Sequence, residues 1–149
     1  MTTATKIRNH DIPDLLRQGK SAWAPDVKLE DLVSSIRDGL PISAFSTLKT
    51  ELDVADKVLA QIVNMSPRTL TRRRQQGRLL PDESDRLWRI GYLFERASEL
   101  LGGPDRAREW FKRPKKALNG KTPLEYTDTE PGTIEVEDLL GRLEYGVFS

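Results

Sequence analysis

The stretch VADKVLAQIVNMSPRTLTRRR, residues 54–74, decides the fold. Its first half, Val54 to Val63, carries apolar residues at Val54, Ala55, Val58, Leu59, Ile62 and Val63, a helical pattern. Asn64 then interrupts, and Asn is, after Gly, the residue that best tolerates the left-handed backbone of a tight turn. Ser66-Pro67 reads as an N-cap followed by a first-turn proline, opening a second helix anchored by Leu70. A short helix, a turn at Asn64-Met65-Ser66 and a capped basic helix are the anatomy of a helix-turn-helix. Arg68, Thr69, Arg72 and Arg73 are expected on the exposed side, flanked by Thr71, Arg74 and Gln75. Arginine reads guanine with paired hydrogen bonds or neutralises phosphate, and glutamine pairs with adenine. The helix N-terminus, where Ser66 sits, meets a phosphate through its amides. The residues expected in the major groove are therefore Ser66, Arg68, Thr69, Thr71, Arg72, Arg73, Arg74 and Gln75. The competing reading makes Arg72-Arg73-Arg74 a solvated face, or pairs it with Asp82, Glu83 and Asp85.

Outward from this motif the pattern stays helical. Leu29, Leu32, Val33, Ile36 and Leu40 form one stripe, closed by Gly39 and Pro41. Ile42, Phe45, Leu48 and Leu52 form another. Beyond the motif, Asp82 reads as the cap of a longer helix with Leu87, Ile90, Phe94, Ala97 and Leu101 inward, ended by Gly102-Gly103. Pro104 starts a short helix with Ala107, Trp110 and Phe111, where Phe111 or Trp110 must be buried. Residues 112 to 122 read as a basic loop, Thr122-Pro123 as a further cap and first-turn pair, and Thr133 to Glu144 as the last helix, with Val136, Leu139, Leu140 and Leu143 inward. No strand-like alternation of useful length occurs, so an all-α protein of about seven helices is expected.

Composition narrows the function. With no cysteine and the single histidine His10, thiolate sites, multi-histidine metal sites and histidine-based acyl transfer are nearly excluded. No glycine-rich phosphate loop occurs, so neither an enzyme nor a cofactor or metal site is expected. The Ser84-Asp85 pair is read as a helix-start device, with Arg86 or Arg89 in reach. No targeting segment is visible, and a reducing cytoplasm fits the composition. The net charge of +1 hides strong segregation. Residues 66–80 carry five arginines and no acid, residues 105–121 have net +5, and residues 124–149 have net −6. The tail Tyr145-Gly146-Val147-Phe148-Ser149 is apolar and aromatic. It packs on its own domain or enters a partner's cleft, where the acidic segment would steer association and the aromatics would anchor it.

From about Leu40 to Phe148 the chain resembles the Xre/MbcA/ParS-like antitoxins. The resemblance is carried by LAQIVNMSPRTLTRR (59–73), RLLPDESDRLWR (78–89), Ala107, Trp110 and Pro114 with LNGKTPL (118–124), and the ending Gly132, Val136, Leu139-Leu140 and LEYGV (143–147). Asn64 and Asn119 stand where that pattern often has Gly. The resemblance implies an all-α type II antitoxin with a Cro/Xre-like DNA-binding region, a C-terminal toxin-binding domain, a cognate RES-type toxin that depletes NAD+, inhibition by covering that toxin's active-site entrance, and autorepression. Residues 1–25 lie outside the resemblance and, from their weak periodicity, are expected to form a mobile arm or interface segment; 26–80 is expected to be the DNA-binding region with the helix-turn-helix at about 54–76, and 81–149 the toxin-binding domain. The residues expected to face the toxin are Lys121, Glu144, Tyr145, Gly146, Val147, Phe148 and Ser149. A homodimer is expected, since one recognition helix buries little surface, and residues 29–40 offer either its contact or further core. The alternative is a stand-alone helix-turn-helix regulator of transcription or DNA segregation without a toxin. Trp23, with Ile12, Leu15 and Leu16, is the expected contact of the arm, and His10 a solvated residue.

Overall fold

A computed structural model describes residues 29–144, so the expectations for residues 1–25 and for Tyr145–Ser149 lie outside the described residues. The described residues fold into eight α-helices and one 3-10 turn, with no strand among them. The helices are α1 (Leu29–Asp38), α2 (Ile42–Leu52), α3 (Asp56–Ile62), α4 (Pro67–Gln76), α5 (Pro81–Leu101), α6 (Pro104–Lys112), α7 (Pro123–Tyr126) and α8 (Glu130–Glu144). The 3-10 turn is Lys116–Leu118, inside the segment expected to be loop. None of the described helices is long and apolar enough to cross a membrane. The described residues divide into two compact units, one ending at Arg89 and the other beginning at Ile90.

In the first unit the expected stripes do bury. Leu32, Leu40, Phe45, Leu48, Leu52, Leu59, Leu70 and Leu87 form its core. Val33 and Ile36 of α1 stay half-buried, while Leu32 and Leu40 of the same stripe enter the core. Helix α3 is shorter than its apolar pattern. Asp53 ends α2 in the left-handed region (φ 54°), Ala55 is extended, and Val58 lies 42% exposed.

The corner between α1 and α2 is tied to the α4–α5 connection by backbone. Leu79 N–H donates to Leu40 O (2.9 Å) and Ile42 N–H to Gly77 O (3.0 Å), an antiparallel bridge of Pro41 with Arg78. Arg78 Nη1 adds a bond to Gly39 O (2.7 Å). Leu40 N–H donates to the buried Ser84 hydroxyl (2.8 Å), which holds this corner rather than the start of its own helix. That start is made instead by the Glu83 carboxylate, which reaches back to Leu80 N–H (2.9 Å). The helix therefore begins at Pro81, and Asp82 forms an ion pair with Arg86 in place of the expected cap.

In the second unit Leu93, Phe94, Ala97, Ala107, Phe111, Leu118, Leu124, Val136 and Leu140 are buried. Phe111 meets Phe94 at 6.0 Å and Trp110 edge-on at 5.2 Å, as centroid separations. The Thr122-Pro123 signal makes a full capping box. Glu125 N–H donates to the Thr122 hydroxyl (3.1 Å), and Thr122 N–H to the Glu125 carboxylate (2.9 Å). These bonds hold the Glu125 pKa below the usual carboxylate value. Helix α8 begins three residues earlier than expected. The Thr129 hydroxyl accepts from Gly132 N–H (3.1 Å), and Pro131 fits a first turn, where its missing N–H leaves nothing unbonded. Gly132 packs so closely that a Cβ there would lie 1.9 Å from Tyr126 O.

Gly39 and Gly77 separate two effects that are usually merged. Both have positive φ, at 90° and 82°. A Cβ on Gly39 would lie 2.2 Å from Leu79 O, whereas nothing lies within 4 Å of one on Gly77. Gly77→Ala is expected to destabilise by about 1–2 kcal/mol, the left-handed penalty alone. Gly39→Ala adds displacement of the bridge and is expected to exceed about 3 kcal/mol. Urea denaturation of the two variants measures the difference.

Candidate functional site

The motif closes as its residues dictate. Asn64 adopts φ 64°, and Met65 N–H donates to Ala60 O (2.7 Å), turning the chain. Ser66 caps α4, its hydroxyl accepting from Thr69 N–H (3.1 Å) and donating to Thr69 Oγ1 (3.0 Å). The Thr71 hydroxyl donates back to Pro67 O (3.1 Å). Leu70 packs inward, while Arg68, Thr71, Arg72, Arg74 and Gln75 are exposed and Thr69 is half-buried. Arg68, Arg72 and Gln75 recur at i, i+4 and i+7, one outward stripe that starts at the helix N-terminus.

Arg73 corrects the expectation. It is 5% exposed rather than on the outer face, three residues after Leu70 on the same inward side. Its Nε donates to Glu83 Oε1 (2.7 Å) and its Nη2 to Glu83 Oε2 (2.9 Å), with Gln76 Oε1 on Nη1 (3.3 Å). The hydrogen bonds to Glu83 raise the Arg73 pKa against the opposing effect of burial. Arg73 is thus a structural cation and leaves the group of base-reading candidates. Of the expected pairings with Asp82, Glu83 and Asp85, the Glu83 one forms. Asp82 binds Arg86 and Asp85 binds Arg89, each one turn along α5.

Arg74 has a partner the sequence did not indicate. Its Nη1 lies 3.0 Å from Asp56 Oδ2, joining α4 to α3, and its guanidinium stands 6.0 Å from the Phe45 ring centroid. Lys49 Nζ meets the same carboxylate (3.1 Å). Burial pushes the Asp56 pKa up, but the bonds to Lys49 and Arg74 outweigh it and hold it below 3.8. Arg78, not among the expected DNA contacts, is exposed and held by its bond to Gly39 O.

Of the residues expected to face a toxin, Lys121 and Glu144 fall among the described residues. Lys121 is exposed and stands opposite Lys115 in an antiparallel bridge. Glu144 ends α8 and accepts from Arg96 Nη2 (2.8 Å), while Arg96 Nη1 lies 3.9 Å from Glu137. Asn119, in the left-handed region (φ 58°), serves where a Gly would and donates its side-chain amide to the Tyr126 hydroxyl (3.1 Å). Trp110 and Trp88 are half-buried. No group of three or more His, Cys, Asp or Glu able to hold a metal occurs among the described residues.

A capped basic recognition helix in one unit and a separate helical unit after it define a two-part helix-turn-helix protein. Residues 31–91 match the family model of the antitoxin Xre-like helix-turn-helix domain. Residues 96–146 match that of the antitoxin Xre/MbcA/ParS C-terminal toxin-binding domain. The chain is 36% identical to the antitoxin Xre of Yersinia enterocolitica over 79% of this chain and 81% of that one. It is 31% identical to the antitoxin Xre of Photorhabdus laumondii over 76% and 78% of the two chains. A protein of a Sphingobium species called Prs ADP-ribosylating antitoxin is 22% identical over 80% and 81%. The chain belongs to the Xre family of antitoxins.

Arg72 and Arg73 should respond oppositely to truncation. Arg73→Ala strands Glu83 in the core and is expected to cost about 3–5 kcal/mol. Arg72→Ala, on the exposed face, is expected to stay within about 0.5 kcal/mol. Chemical denaturation distinguishes them. Asp56→Asn is expected to lower stability at neutral pH. Because the folded pKa is depressed, this contribution is present above the unfolded value and fades as pH falls through the folded one. The wild type and Asp56→Asn melting curves should therefore converge as the pH falls below 3.8.

Proposed function

We propose that this chain is a type II antitoxin that restrains a cognate RES-type, NAD+-depleting toxin and represses its own operon. The observation that carries the reading is the union on one chain of an exposed arginine stripe on a capped helix with a unit that matches a toxin-binding domain. Arg68, Arg72 and Gln75 read the major groove, with Thr71 and Arg74 at its edge and the Ser66–Thr69 cap presenting the helix amides to a phosphate. Two copies bind half-sites one helical turn, about 34 Å, apart. The half-buried Val33 and Ile36 of α1 are the contact in this reading.

The toxin side rests on charge. An enzyme that handles a pyrophosphate presents cations in its cleft, and residues 124–149, at net −6, complement them. Glu144 and the segment Tyr145, Gly146, Val147, Phe148 and Ser149 cover the entrance, with Tyr145 and Phe148 as anchors and Lys121 as an outlying contact. The Sphingobium relative's name supports an NAD+-consuming partner, since ADP-ribosylation draws on the same dinucleotide. Both partners place the protein in the cytoplasm.

Co-expression with the neighbouring gene product, read by growth and cellular NAD+, tests this function. The intact chain is expected to restore both, and removal of residues 145–149 to abolish the rescue. Arg72→Ala is expected to lose the mobility shift on the upstream region and keep the rescue. A rescue that survives the deletion sinks the role of the tail. A shift without any toxic neighbour favours a stand-alone regulator.

A further inference from the structure

The corner that follows α6 concentrates cations for which the readings above have little use. Arg113, Lys115, Lys116 and Lys121 fall within nine residues. Their backbone is firmly held. Lys115 N–H donates to Lys121 O (2.9 Å), Gly120 N–H to Lys115 O (3.0 Å) and Lys121 N–H to Leu118 O (3.0 Å). Leu118 is buried beneath, and Asn119 is fastened to Tyr126.

Lys115 and Lys121 pair by backbone in an antiparallel bridge, with the Glu109 carboxylate acting on the first lysine and Glu125 on the second. Burial, and Arg113 nearby, push the Lys115 pKa down. The Trp110 ring, 5.2 Å from Lys115 Nζ, offsets part of this. Cations at the end of α6 complement its dipole, which accounts for Arg113 but not for the lysines beyond the helix. Arg113 meets Glu109 at 3.0 Å, both about two-thirds exposed, a pair weak enough to yield to a stronger anion. Residues 113–121 themselves carry four cations and no acid, a local charge that a polyanion complements.

A phosphate backbone fits this surface better than a protein does. Protein interfaces need apolar or aromatic anchors at their centre; here Leu118 is 1% exposed, and the half-buried Trp110 ring beside the loop is taken by Lys115. Nucleic-acid interfaces are polar and strongly positive. We propose that residues 113–121 form a second phosphate-binding surface, in which Arg113, Lys115 and Lys116 grip the nucleic-acid backbone. The proposal rests on the operator-binding reading and adds to it a term indifferent to base sequence.

The test is the salt dependence of DNA binding by the full chain, on its upstream region and on a random duplex of equal length. Each phosphate contact contributes about 0.9 to the slope of log K against log salt concentration. Arg113→Gln with Lys116→Gln is expected to make the slope shallower by about 1.8 on both duplexes, with the preference for the operator and the rescue from toxin kept. Both side chains are exposed, so the melting temperature reports that the fold is intact. An unchanged slope overturns the proposal, and so does lost rescue with an unchanged slope, which would make the loop a protein contact. If the wild type does not prefer the operator, the α4 reading fails, while the slope on random duplex still decides the loop.

Discussion

Arg73 and Glu83 meet through two parallel hydrogen bonds with both side chains 6% exposed, and the angular setting of α4 depends on that contact. Two charges taken out of water are tolerated when their remaining hydrogen-bonding groups are also matched. Here they are: Glu83 accepts from Leu80 N–H as well, and Arg73 donates to Gln76. A helix turns by about 100° per residue, so a slip of one position would bring Arg72 or Arg74 to Glu83. The geometry of the pair permits one setting, which sends Arg68, Arg72 and Gln75 outward. Its contribution is orientation more than net stability, because a buried pair gains little over well-packed apolar residues.

A second constraint frames the first. The bridge of Pro41 with Arg78, the close approach of Gly39 to Leu79 and the bond from Leu40 to Ser84 gather the α1–α2 corner and the α4–α5 connection at one place. The C-terminal end of the helix-turn-helix is therefore fixed by main-chain bonds, and Glu83 lies just beyond them in the first turn of α5. Asp56, bonded to Arg74 and Lys49, adds a lighter tie from α3.

What was legible in the sequence was local. Ser66-Pro67, Asn64, Gly102-Gly103 and Thr122-Pro123 act within a few residues, and each does what its chemistry implies. The all-α fold and the position of the helix-turn-helix followed from helical spacing. What was not legible was tertiary or masked by composition. Arg73 shares the inward face with Leu70, but among neighbouring arginines the sequence offers its pairing with Glu83 only as the competing reading and does not single it out. Ser84 bonds across 44 positions, which no local pattern reports. Pro131 and Gly132 look like breakers, yet the Thr129 hydroxyl and the contact with Tyr126 make them the first turn of α8.

The bridge at residues 39–42 and 77–79 is made by peptide groups, so it places few demands on the side chains that pass through it. The outward positions of α4 are equally released from internal duty: Arg68, Thr71, Arg72 and Gln75 support no buried contact. Duplicated copies of such a chain in one genome can thus diverge in operator preference by exchanging a handful of outward residues while the scaffold stays constant. Insulation between coexisting operons then needs no new architecture, only a rewritten face on an unaltered frame.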